Sequence, residues 1–266
     1  IYLYNIYIGD FLMNLHKLVN EDIEKITIFI HELMNPTEST KIKNGEVLTP
    51  FELIEEMLNT LPEEVWSNPN LKWLDPASGI GNFQLVVINR LMKGLENVIP
   101  NEVERKKHIL EKMIYYAEWN KNNVNIYKKL IDPNNQYKLN IHQGDSLTMN
   151  IKEYWGVNNF DIVIGNPPFQ KETNGENKTK KTNIYHLFVE KFYQLSTMLL
   201  FIHPRRWING SGDNGKEMLN IFIKMRKIKY IKTFSNQNLF KGTKIKGGLM
   251  YYLYDNNYEE KLTSIL

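Results

Sequence analysis

The chain has 266 residues, 42% of them hydrophobic and 24% charged, with a formal net charge of +3. That length accommodates one sizeable core with at most a small appendage, and the mild lysine excess permits a polyanionic partner without requiring one. There is no cysteine, which excludes disulfides, thiolate metal sites and any mechanism built on a cysteine nucleophile.

Residues 1–12, IYLYNIYIGDFL, are apolar and aromatic but carry neither a basic leader nor a small-residue cleavage site. The first methionine is Met13, and no function is assigned to the residues before it. Residues 19–34 show helical apolar spacing at Ile23, Ile26, Phe29, Ile30 and Leu33. Residues 1–40 are expected to form an N-terminal helical extension, and 41–266 the main domain. The next helix is predicted over 49–61, with Thr49 as its cap, Pro50 at the first position and Glu52 three residues after the cap. A short strand follows at 71–75, then helices at 81–92 and near 101–112, a strand at 113–118 and a helix at 120–131. Strands at 137–142 and 160–165 precede a helix at 183–197 and a strand at 198–204. A helix at 215–226 and strands at 229–234 and 248–255 complete the pattern. This alternation predicts an α/β fold, Rossmann-like, with a seven-stranded, mainly parallel sheet and an antiparallel last strand. Residues 171–183, KETNGENKTKKTN, are polar and rich in lysine and asparagine, and are expected as an irregular loop. No apolar run reaches the length of a bilayer span, so the expected setting is the cytoplasm, with no membrane partner.

In such a sheet ligands bind beyond the carboxyl ends of the strands. Four predicted strands end on Asp75, Glu118, Gln143-Gly144-Asp145 and Asn166-Pro167-Pro168-Phe169. After Asp75 comes PASGIGNF, where Gly79 and Gly81 allow a tight turn and close approach of a ligand to backbone. A purely structural turn is the alternative. Asp75 disfavours a phosphate there and favours a cation; a ligand carrying sulfonium and ammonium groups fits. Glu118 can accept both hydroxyls of a ribose, or simply face solvent. Asp145 can accept from the exocyclic amine of an adenine, or form an Asx-turn into Ser146 and Leu147. DIVIG, 161–165, reads as a buried parallel strand. It stops at two prolines that have no N–H to donate, which hold up the amide of Asn166 and the ring of Phe169. The six histidines, His16, His31, His108, His142, His186 and His203, form no ligand-spaced pair, so no metal site is expected.

DPASGIGNF and DIVIGNPPF, in this order, resemble the cofactor and catalytic motifs of S-adenosylmethionine-dependent, adenine-specific amino-methyltransferases of DNA. KNGEVLTPFELIEEML, 43–58, is similar to the additional cofactor motif of the group in which that segment comes first and target recognition last. IHPRRWINGSGD, 202–213, and FKGTKIKGGLMYYLYD, 240–255, resemble later segments of methylases from restriction–modification systems. The resemblance spans about residues 43–255 and makes 41–266 the catalytic domain.

It implies methyl transfer from S-adenosylmethionine to the N6 amine of an adenine rotated out of the duplex. The side-chain carbonyl of Asn166 and the backbone carbonyl of Pro167 would accept from the amine, Pro168 would stiffen the turn, and Phe169 would face the base. Thr49 and Pro50 would close the methionine part of the cofactor site, which Asp75, Ala77, Gly79, Gly81 and Asn82 would line. Phe83 would lie near the adenosine or in the core. Glu118 and Asp145 would hold the nucleoside. Ser78 and Ile80 stand where the family often has Cys and Thr, and Phe169 where Tyr is commoner. Phe240, Tyr251 and Tyr252 are candidates for a second aromatic against the base. Lys171, Lys178, Lys180 and Lys181 contact phosphate or stay solvated. Arg205, Arg206 and Trp207 meet DNA or form a surface turn, and residues 224–232 do the same or form a strand with a charged face. Only 11 residues follow Asp255, so target recognition is expected from a partner protein or from a C-terminal region outside this sequence. Two rivals remain: methylation of an RNA base or a protein glutamine, and a catalytically idle cofactor-binding subunit. A missing thiolate argues against methylation at a cytosine carbon.

Overall fold

The structure is a computed structural model that describes residues 49–174, 179–209, 214–235, 247–259 and 263–265. The helix expected over 19–34, and with it Lys178 and Phe240, lies outside them. The helical elements are α1 (Phe51–Leu58), α2 (Asn82–Gly94), α3 (Glu102–His108), α4 (Lys121–Ile131), α5 (Ile151–Trp155), α6 (Tyr185–Tyr193) and α7 (Gly215–Met225). The strands are β1 (Trp73–Asp75), β2 (Ile114–Glu118), β3 (Asn140–Gln143), β4 (Phe160–Gly165), β5 (Gln170–Asn174), β6 (Thr179–Asn183), β7 (Ser196–Pro204), β8 (Ile228–Phe234), β9 (Leu249–Asp255) and β10 (Ser264–Ile265). All seven strands expected from the sequence are present.

Eight strands form one sheet in the order β10-β8-β9-β7-β4-β1-β2-β3. The central run β7-β4-β1-β2-β3 is parallel, and β9 runs antiparallel between β7 and β8. Central strands of such a sheet are covered on both faces, which is why β4 and β7 read as nearly unbroken apolar runs. Alternation along each strand divides the core in two. Trp73, Ile162, Ile164, Leu200 and Ile202 pack under α1, α2 and α4, while Leu74, Val163, Leu199 and Phe201 pack under α6 and α7. Each such fully buried side chain stabilises the fold by about 1.5–3 kcal/mol.

Two expectations are corrected. Residues 171–174 and 179–183 are not irregular. β5 and β6 pair antiparallel, Gln170 opposite Asn183 and Asn174 opposite Thr179, as a separate two-stranded sheet. Main-chain pairing needs no apolar period, so composition concealed it. Thr49 is not the cap of α1. The carbonyl of Pro50 accepts from the N–H groups of Leu53 (3.1 Å) and Ile54 (3.0 Å), which makes Pro50 the cap and leaves Thr49 outside the helix.

One half-buried clamp joins the layers at the sheet's carboxyl edge. The ammonium of Lys191, on α6, donates to the carbonyls of Ser146 (2.8 Å), Leu147 (2.9 Å) and Met149 (2.8 Å). It pins the turn that follows β3 and carries Asp145. Burial pushes the pKa of this ammonium down, and Asp145 opposes the shift. Lys191→Met keeps the aliphatic stem but strands the carbonyls, and is expected to lower the unfolding free energy by about 1–3 kcal/mol. Urea denaturation reads this directly; an unchanged midpoint would show that the clamp adds nothing.

Candidate functional site

β1 leads on to β2 and β3 on one side, whereas β4 and β7 lie on the other. The loops leaving β1 and β4 therefore diverge, and a crevice opens between them at the strands' carboxyl ends, the usual ligand position in an open α/β sheet. The four polar strand ends singled out in the sequence all lie at this edge.

The β1 loop is held rigidly. Gly79 and Gly81 have φ of 56° and 95°, in the left-handed region that glycine adopts without strain. A Cβ on Gly81 would collide with the ring of Tyr127. Tyr127 stacks on Tyr116, with centroids 4.1 Å apart, and the Tyr116 hydroxyl donates to the Gly79 carbonyl at 2.6 Å. The N–H of Ser78 donates to the Ala117 carbonyl (3.0 Å), and the Ser78 hydroxyl to the Asp75 carbonyl (2.8 Å). Ser146 donates to the Pro76 carbonyl at 2.7 Å, so the turns after β1 and β3 are tied as well.

Asp75 is only 1% exposed. Its Oδ1 accepts from the Ala77 N–H at 3.0 Å. Burial pushes its pKa up to about 8; the Ala77 bond works against this shift and the Glu118 charge adds to it. Burial therefore favours the protonated acid of Asp75 at neutral pH. Glu118 accepts from the N–H groups of Gly79 (2.8 Å, Oε2) and Asn120 (2.7 Å, Oε1).

The β4 end is brought against β1 by a missing side chain. Gly165 has φ of 149°, and a Cβ there would stand 2.7 Å from Asp75 Oδ1. Asn166 follows at once. Its Nδ2 donates to the Thr49 hydroxyl at 3.1 Å, and the Thr49 carbonyl accepts from Asn82 Nδ2 at 3.2 Å. Thr49, Asn82 and Asn166 thus meet, although 117 positions separate the first and last. Pro167 is buried and Pro168 exposed. Phe169 is half-buried against the α1/α2 core, and its carbonyl accepts from the Ile184 N–H at 3.1 Å.

Asp145 makes the Asx-turn: Oδ1 accepts from the Leu147 N–H at 3.0 Å. Its Oδ2 lies 4.0 Å from the ammonium of Lys171, which also stands 5.2 Å from the ring centroid of Trp119. Trp119 is 64% exposed and directly follows Glu118. Sequence reasoning passed over it; a large aromatic immediately after a strand-end carboxylate was the available signal. Ala77 sits half-buried beside the loop, whereas Phe83 is buried in the core beneath it. Tyr251 and Tyr252 are buried in opposite faces of the sheet, and Trp207 packs on Phe222 at 4.3 Å, so none of the three presents a ring to a base or to DNA. Arg205 donates to the Gly247 carbonyl at 3.3 Å. Among the described residues no group of His, Asp and Glu could hold a metal ion, and no helix is long and apolar enough to cross a membrane. A cavity of about 450 Å³ lined by Lys229, Asp255 and Glu259 lies by β8 and β10 at the sheet's other side, with none of these site residues in its wall.

Residues 22–240 match the family model described as Eco57I restriction-modification methylase. A Mycoplasma pneumoniae protein described as an uncharacterized adenine-specific methylase is 32% identical over 295 aligned positions, covering 83% of this chain and 69% of that one. The fold is similar to that of a Vibrio vulnificus protein named as a modification subunit of a type I restriction enzyme (TM-score 0.62, 18% identity, 88% of this chain). The chain spans 50% of that subunit's length. It is similar also to a Listeria monocytogenes protein named as a class I S-adenosylmethionine-dependent methyltransferase (TM-score 0.63, 16% identity, 93% of this chain and 74% of that one).

Two outcomes follow from the geometry. Below about pH 4 folded and unfolded chains both hold the Asp75 proton; between about 4 and 8 only the folded chain does. Stability from this group is therefore lost as pH rises through that window, by up to about 1.4 kcal/mol per pH unit. Asp75→Asn has no proton to lose, so the wild-type-minus-variant difference in urea stability should decline from pH 5 to 8, and parallel curves would refute the buried acid. Gly165→Ala should cost about 2–4 kcal/mol through backbone strain and the collision with Asp75. A loss under about 0.5 kcal/mol in the same assay would mean the two strand ends are not in close contact.

Proposed function

The chain belongs to the Eco57I restriction-modification methylase family, and from that premise we propose that it transfers the methyl group of S-adenosylmethionine to the exocyclic N6 amine of adenine in DNA. The observation that carries this reading is the placement of Asn166 at the switch point, one residue from the Gly165–Asp75 contact and hydrogen-bonded to Thr49.

The residues present fit the cofactor. Gly79 and Gly81 keep the loop backbone bare on its ligand side, Glu118 puts a carboxylate at the end of β2 where ribose hydroxyls would lie, and Trp119, largely exposed, stands directly beside it. Asp145, Ala77 and Asn82 complete the nucleoside and loop side, and Thr49 and Pro50 the amino-acid side; Phe83 supports from the core. When bound, S-adenosylmethionine supplies a methyl group on positively charged sulfur, the electrophile of the reaction. A nearby cation would also favour the ionised form of Asp75.

The chain's own task is to make a poor nucleophile attack. The lone pair of an adenine amine is delocalised into the ring. Acceptors on both N–H groups draw the nitrogen toward a pyramidal geometry and release that lone pair. In the proposed reaction these acceptors are the Asn166 side-chain carbonyl and the Pro167 backbone carbonyl. Pro167 and Pro168 lock the backbone that carries them, so the arrangement is paid for in folding rather than during catalysis. Phe169 holds the flipped base by its face. The same reading assigns DNA recognition to a partner protein or to a C-terminal region outside this sequence.

Asn166→Ala should lower methyl transfer about 10²–10³-fold, the usual scale for one preorganised polar group at a reacting centre, while cofactor affinity by calorimetry changes less than about threefold. Radiolabelled methyl incorporation into DNA, RNA and protein tests the substrate. Label in protein or RNA but not DNA would overturn the assignment; equal loss of binding and transfer in the variant would overturn the role of Asn166.

A further inference from the structure

The hydroxyl of Thr49 lies inside the site but has no helix to cap. It accepts from Asn166 Nδ2 at 3.1 Å, and its residue's carbonyl accepts from Asn82 Nδ2 at 3.2 Å. Thr49 is 4% exposed and Asn82 equally buried. A hydrogen bond between side chains that distant in sequence, one of them buried and the other half-buried, has to be placed by tertiary structure, and it holds the Asn166 amide by its nitrogen end. Resting on the function proposed above, we infer that Thr49 is a positioning residue: its hydroxyl fixes the plane of the Asn166 amide so that the nitrogen end is spent within the protein and the carbonyl end is the one presented to the substrate amine. Through its carbonyl, Thr49 ties that amide to the first residue of α2, so that the glycine loop and the acceptor shift together or not at all.

The distinction from a cofactor contact is sharp. An Asn side chain can turn its amide end for end, and the wrong end would place N–H against N–H at the reacting nitrogen. A group that only touched the cofactor would alter its affinity; a group that sets this amide alters the chemical step. Removing an interaction made only in the transition state lowers kcat with binding unchanged.

The test compares Thr49→Val, which keeps the shape and removes the hydroxyl, with Thr49→Ser, which keeps the hydroxyl, in the full-length protein. With ¹⁵N-asparagine labelling, the Asn166 side-chain amide is assigned by its disappearance in Asn166→Ala. In the cofactor-free protein it should be protected from solvent exchange in wild type and Thr49→Ser, and lose protection in Thr49→Val. The methyl-transfer rate at saturating cofactor should fall about tenfold in Thr49→Val, the scale of one net hydrogen bond, and return to within about threefold of wild type in Thr49→Ser. Because Thr49 also borders the cofactor, the calorimetric Kd for S-adenosylmethionine should weaken in Thr49→Val by clearly less than the rate falls, and return to the wild-type value in Thr49→Ser. An unchanged rate in Thr49→Val, or a Kd weakened as much as the rate, would overturn the positioning role. Failure of wild type to methylate DNA, RNA or protein would instead remove the proposed function on which the role depends, and the exchange measurement would still report the contact itself.

Discussion

The lateral contact between β1 and β4 governs this molecule. These strands pair in parallel, Trp73 beside Ile162 and Leu74 beside Val163, although 84 residues of chain, two further strands and several helices intervene between them. Their pairing sets the two strand ends side by side while sending their loops apart. Glycine at 165 lets the approach continue past the last paired residues until backbone meets the Asp75 carboxyl. Every other site group is placed relative to that junction: Glu118 through the Gly79 N–H, Asn82 and Thr49 through the start of α2, and Asp145 through the clamp of Lys191.

Such a junction has an electrostatic cost. Two carboxyls, Asp75 and Glu118, serve one short loop, and burial keeps the first protonated until about pH 8. Glu118 is steadied by the N–H groups of Gly79 and Asn120, whereas Asp75 accepts from the N–H of Ala77. The fold tolerates this because the loop's own hydrogen bonds and the stacked pair Tyr116–Tyr127 hold the backbone whatever the protonation state. A ligand that brings positive charge changes the balance, so ligand charge and Asp75 ionisation are linked equilibria.

How much of this was legible in the sequence depends on the range of the interaction. The seven main strands were, because most of them are apolar runs between turn signals, and NPPF announced its own strand end. The β5–β6 hairpin was not, because its stability comes from main-chain pairing that KETNGENKTKKTN does not advertise. Thr49 was misread as a cap for a chemical reason: the same hydroxyl that would cap a helix also suits an asparagine amide, and only the fold decides which partner arrives. Lys191 gave no signal at all, since its acceptors are carbonyls more than forty residues away, which carry no side-chain signature. Phe83 stood between two readings until packing put it in the core, and Trp119 lost notice because lone exposed aromatics are common.

The identity of residue 166 then follows from its neighbours. A carboxylate accepts hydrogen bonds more strongly than an amide, and on that count alone aspartate would suit an acceptor better. Here, however, the position adjoins Gly165 and, through it, a buried Asp75 whose ionisation is already opposed by burial and by Glu118. A further carboxyl beside them would make ionisation harder still for each, and in the proposed reaction it would take up a proton where an acceptor is required. Asparagine brings a neutral carbonyl that stays an acceptor at any physiological pH. It also brings an N–H donor, and that donor lets Thr49 accept a bond and hold the amide, an arrangement in which a carboxylate has nothing to give. Neutrality and orientation are thus supplied by one side chain, and both needs arise from the closeness of β1 and β4.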